Sequence, residues 1–141
     1  MKNIIWSQLN KQDFITKAKA LAKEEHELSL QFIDMLRECE RRQLYAEQAY
    51  PSLWAWATQY LGLSESMAQI RIAAMRLSRE IPAIKPALES GALSLSNAAQ
   101  LNRFFREEKK SGNSRSPESR KMLFIKSLDY RKRNVSPSSL K

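Results

Sequence analysis

A single cysteine, Cys39, and a single histidine, His26, remove most metal and redox chemistry from consideration at the outset. One thiol closes no intrachain disulfide. One histidine and one cysteine thirteen residues apart cannot supply the converging ligands that a catalytic metal ion needs. Asp13, Asp34 and the glutamates fall at the spacing of solvated helix faces rather than of a magnesium cage. Glycine is equally scarce. Three glycines and five prolines leave too few turn formers for a sheet protein. There is no glycine-rich phosphate loop, no GxSxG elbow, and no histidine placed to activate any of the serines. No apolar run approaches the ~20 residues needed to cross a bilayer, and the first residues do not read as a leader peptide.

These exclusions predict an all-α protein, a compact bundle of about six to seven helices, cytoplasmic, without membrane association, cofactor or metal, and not an enzyme. At 141 residues it has room for one domain with its own core.

What the chain does have is positive charge, unevenly spread. The formal net charge is +9. From Arg103 onward twelve Lys and Arg face four Asp and Glu, a net of +8, whereas residues 1–102 carry twelve against eleven, a net of +1. A basic block of this kind attracts polyanions, nucleic acid foremost, or is a solvated tail with no partner.

Apolar spacing places the helices. Trp6 to about Ala22 reads as a weakly amphipathic helix. Leu21 to about Leu44 reads as the longest one, with Leu28, Phe32, Met35, Leu36 and Cys39 facing the core. Tyr45, Tyr50, Trp54, Trp56 and Tyr60 supply aromatic mass to pin a short helix onto it, with base stacking as the other use of such rings. Ser52 can cap a helix over 53–61, Gly62 can end it in the left-handed conformation, and Ser64 can cap a second helix over 65–79. Pro82 opens a short helix ending at Gly91, and Ser94 or Ser96 opens another to about Lys110. The domain plan is therefore a helical domain over 1–110 and a linker over 111–117. A basic helix over 117–133 follows, opened by Pro117, and then a disordered tail over 134–141.

The pair at 52–79 has the shape with which helix-turn-helix proteins present a helix to DNA. In the repressor-type pattern the ninth residue after the glycine is apolar. Here it is Arg71, flanked by Ile70 and Ile72, so an ordinary helix pair in a bundle is the competing description.

The run ERRQLYAEQAYPSLWAWATQYLGLSESMAQIRIAAMRL, followed by IPAIKPALESGALSLSNAAQL, resembles the helical N-terminal region that precedes the nuclease domain in many bacterial HNH endonuclease-like proteins. The resemblance covers about residues 25–108. It rests on Arg41 and Arg42 with Leu44 and Tyr45, the Tyr50 and Ser52 approach to an aromatic helix, and the LGLSES turn. The Arg71, Ile72, Ala74, Arg76, Leu77 pattern and the SGALSLS turn complete it. It implies a DNA-associated module. The nuclease part of that family brings two histidines and an asparagine around a metal ion, often with zinc-binding cysteine pairs, and this sequence offers none of these.

The leading expectation is a non-catalytic DNA-binding protein. Ser64, Ser66, Gln69 and Arg71 are the residues nearest a groove, and Arg76 and Arg79 serve phosphates. Arg103, Arg106, Lys109, Lys110, Arg115, Arg120, Lys121, Lys126, Arg131, Lys132 and Arg133 add sequence-independent attraction. Paired half-sites make a homodimer the natural form. The other expectation is a protein-interaction module, an adaptor, inhibitor or homodimer. It would use the broadly apolar 65–79 helix, Phe104, Phe105 and the last helix, and dock for instance on a separately encoded nuclease subunit.

Overall fold

The computed structural model describes residues 4–134, with side chains through Leu128. Among these residues the chain is all-α, in seven helices. After a 3₁₀ turn, Trp6–Gln8, come α1 (Lys11–Arg42), α2 (Leu44–Glu47), α3 (Leu53–Ala55), a π-helical turn (Trp56–Tyr60), α4 (Glu65–Glu80), α5 (Ile84–Ser90), α6 (Leu95–Lys110) and α7 (Pro117–Asn134). The expected tail over 135–141 lies outside the described residues. No described helix is long and apolar enough to cross a membrane.

Side-chain caps set most of these starts. The Asp13 amide donates to Asn10 Oδ1 at 2.8 Å to open α1. Ser52, Ser64, Ser94 and Ser116 each accept an amide proton from three residues on, at 3.0, 3.2, 3.1 and 3.1 Å. Each cap satisfies one amide that the first turn leaves without a partner. Ser94 rather than Ser96 therefore opens α6, and Pro117 stands at the first position of α7 as expected. Gly62 and Gly91, at φ of 77° and 82°, occupy the left-handed turns where a Cβ would be strained.

Three helices differ from the sequence expectation, α5 among them, since it begins at Ile84 with Ala83 as its N-cap and leaves Pro82 in the preceding turn. The helices expected over 6–22 and 21–44 are one uninterrupted α1 of 32 residues, since no glycine or proline between Lys11 and Arg42 breaks it. The helix expected over 53–61 turns π from Trp56, where the Leu61 amide bonds back five residues to the Trp56 carbonyl at 3.2 Å.

The core is gathered on α4, which packs against α1, α3, the π turn, α5 and α6. Leu36, Leu53, Met75, Leu77, Ile84 and Leu88 are fully enclosed, and Phe124 of α7 joins them, so α7 is docked on the domain. Much of the broad apolar surface of α4 is used inside the chain, on Ala68, Ile72, Ala74, Met75 and Leu77, while Met67 is exposed and Ile70 and Ala73 line a surface cleft. On α1 the buried stripe is Ser29, Ile33, Leu36 and Cys39, while Leu28 is exposed. Trp56 is buried and its Nε1 donates to Gln48 Oε1 at 2.8 Å, but Trp54 and Tyr60 are exposed. Phe105 is core rather than surface, unlike its neighbour Phe104.

Candidate nucleic-acid interface

Two sixteen-residue helices, α4 and α6, pack together and leave a cleft of about 680 Å³ along their line of contact. α4 contributes Ser66, Gln69, Ala73 and Arg76, at helical steps of three and four. α6 contributes Ala99, Asn102, Arg103, Arg106 and Lys110, at the same steps. Each set is one helix face, and the two faces look at each other. Ala73 and Ala99 keep the floor open because neither fills it. Trp54 lines the cleft as well, while Trp56, two residues on and on the opposite side of the helix, is buried. Glu107 is the carboxylate in the lining.

A second hollow of about 470 Å³ shares Arg76, Asn102, Arg106 and Lys110 and adds Arg79, Glu80, Phe105, Lys109 and Arg120. The two form a continuous basic surface. Nine of the residues expected to meet nucleic acid lie along it: Ser66, Gln69, Arg76, Arg79, Arg103, Arg106, Lys109, Lys110 and Arg120.

These cations are not equivalent. Glu40 of α1 is reached by Arg76 through Nη2 at 3.0 Å and by Arg79 through Nη1 at 2.8 Å. Burial pushes the Glu40 carboxyl up, but the hydrogen bonds and charges of Arg76 and Arg79 outweigh it, and the net shift is downward. Glu40 therefore stays ionised and offsets part of the α4 charge. Arg120 donates to Glu80 at 2.7 Å and lies 5.5 Å from the Phe105 ring centroid, so it fastens α7 to α4 and α6. Arg115 is similarly taken by Glu108 at 2.8 Å. Among the described residues Arg103, Arg106, Lys109 and Lys110 form no ion pair.

Other expected contacts are placed elsewhere. Ser64 is spent on its cap bond to the Met67 amide. Arg71 faces α1, with its guanidinium 4.3 Å from the Phe32 ring centroid and its Nε buried without a partner. Burial lowers its pKa, against an opposing effect of Glu25. That is a structural position, so Arg71 leaves the set of groove contacts. Lys121 is exposed on α7 and lines neither hollow. The side chains of Arg131, Lys132 and Arg133 lie outside the described residues. His26 is occupied too, with Nε2 3.1 Å from the Glu89 carbonyl oxygen.

Glu40 and Asn102 are not anticipated by the sequence, whereas Trp54, expected in the core with base stacking as the other use of its ring, stands in the cleft. Asn102 is only 5 % exposed, lines both hollows, and makes no side-chain hydrogen bond among the described residues. Its amide atoms are not sealed from solvent, since among the described residues the buried side-chain polar atoms without a partner are Arg71 Nε and Arg120 Nε, so the amide opens onto the cleft floor, where water or a ligand can meet it. A sequence signal existed, since Asn102 interrupts the stripe Ala98, Asn102, Phe105 that α6 buries.

The chain matches no protein-family model, no curated protein and no solved structure.

Proposed function

We propose that this chain is a non-catalytic DNA-binding protein that receives duplex DNA along the α4–α6 cleft. The observation that carries this reading is the convergence of Arg76, Arg103, Arg106 and Lys110 with the amides of Gln69 and Asn102 and the ring of Trp54 on one surface. Cations at this spacing neutralise phosphates. Gln and Asn amides are the side chains suited to a base edge, and the indole offers an apolar or stacking face. The resemblance of residues 25–108 to the region preceding HNH nuclease domains supports the same reading, as a module with recognition and no cleavage of its own.

In this picture α4 does not enter a groove along its length, because most of it is enclosed by α1 and α6. Its first turn and the Gln69 to Arg76 strip form one wall, and α6 forms the other.

Fluorescence anisotropy of labelled random-sequence duplex over a salt series tests the reading. About five phosphate contacts give a slope of log affinity on log salt near roughly −4.5. The Arg103→Ala, Arg106→Ala, Lys110→Ala triple variant should flatten that slope by about 2.7. Absence of binding at low salt sinks the proposal, and an unchanged slope in the triple variant moves any binding off the cleft. Removing everything after Lys110 is a poorer test, since it strips Phe124 from the core.

A further inference from the structure

The first eighteen residues of α1, Lys11 to Leu28, have no buried side chain; burial begins at Ser29. At 1.5 Å per residue that is a helical arm of about 27 Å. In proteins most helical stability comes from packing an apolar face rather than from propensity. The arm nevertheless carries Phe14, Leu21 and Leu28, which are 46 %, 53 % and 53 % exposed, and Ile15 beside them. Trp6 folds back edge-on to Phe14, with centroids 5.2 Å apart, and extends the apolar surface.

The spacing of these residues is regular. Phe14, Leu21 and Leu28 recur every seventh position, the spacing of one apolar column of a two-helix seam, while the companion column is Ala18 and then Glu25. The seam lies beside the face that packs on the body rather than on it. Leu28 and the buried Ser29 are neighbours, about 100° apart around the helix. His26 and Glu25 point toward the body, at the Glu89 carbonyl and near Arg71.

Charge identifies the occupant and its direction. Between Phe14 and Leu28 the arm is basic at Lys17, Lys19 and Lys23 and acidic at Glu24, Glu25 and Glu27, with Lys11 and Asp13 preceding that stretch. Two parallel copies would set lysines beside lysines and glutamates beside glutamates. Two antiparallel copies centred on Leu21 put Phe14 opposite Leu28 at both ends. They also bring Lys17 of each copy to Glu24 of the other, since both residues flank the seam on the same side. We infer that α1 residues 14–28 are the contact between two copies of this chain, paired antiparallel about Leu21.

The inference does not rest on the DNA reading, because none of these residues lines the cleft. Sedimentation equilibrium of the full chain without nucleic acid should give twice the 16.3 kDa of one copy. Leu21→Glu should weaken the dimer by about 100-fold or more, as removal of a central apolar anchor does, while circular dichroism shows the helices retained. Lys17→Glu and Glu24→Lys should each weaken the dimer, and the double variant should recover it. A full chain that stays monomeric at high micromolar concentration overturns the inference, as does a Leu21→Glu protein that still dimerises. Failure of the charge-swapped double variant to recover overturns the antiparallel pairing.

Discussion

α4 and α6 are the same length, start on the same kind of serine cap and form opposite walls of one cleft, yet they are built for different work. α4 is enclosed by α1, α5 and α6, and its two cleft-side arginines lean on Glu40. α6 buries one stripe, Ala98, Asn102 and Phe105, and its outer cations have no acidic partner among the described residues. One wall holds the fold and is partly neutralised; the other carries cations with no ion pair among the described residues. Stability and affinity should therefore respond to different helices.

The largest expected effect tests the stability half of that contrast. Met75→Ala on α4 empties a fully enclosed site and should cost about 2–5 kcal/mol in denaturant unfolding, whereas Phe104→Ala on the exposed side of α6 should cost no more than about 0.5 kcal/mol. Comparable losses from the two would erase the distinction. Next comes Asn102→Leu, which replaces the amide at the cleft floor by an apolar side chain of similar size. Unfolding free energy should change by no more than about 0.5 kcal/mol, while DNA affinity falls. A large destabilisation would show that the amide is already satisfied inside the protein.

Glu40→Gln gives the smallest change and sharpens the comparison most. Freed of their carboxylate, Arg76 and Arg79 should make α4 behave like α6, with tighter DNA binding and a steeper salt slope. The same substitution should cost at most about 1 kcal/mol of stability, because both arginines are substantially exposed. The folded Glu40 pKa is depressed, so its contribution is present above the ordinary carboxyl value of 4.5 and is lost as pH falls through the folded value. The stability gap between the two proteins should accordingly close on acidification below that value; a gap that widens would contradict the ion-pair assignment.

The walls themselves were legible in the sequence, because serine caps and the glycines at 62 and 91 are local signals that tertiary contacts did not override. The all-α class followed from the same scarcity of turn formers. What could not be read is relational. Glu40 meets Arg76 and Arg79 only after thirty-six and thirty-nine residues of chain have folded between them. Arg71 and Arg76 look alike as letters, and only packing sends one onto Phe32 and the other into the cleft. Leu28 fitted an apolar stripe whose phase belongs to the exposed arm, while Ile33 and Ser29 took the body-facing positions. Trp54 was counted as core because aromatics normally are.

The uneven neutralisation of the cleft also divides the time course of the proposed encounter. Arg103, Arg106, Lys109 and Lys110 stand outward with no ion pair among the described residues, so they act on an approaching polyanion across roughly a Debye length, before any surface is desolvated, and set how often a collision succeeds. Asn102, sunk between the walls, is silent until the ligand has seated, and what it adds is residence time. The cleft thus separates capture from retention along its depth, with the rim governing arrival and the floor governing departure.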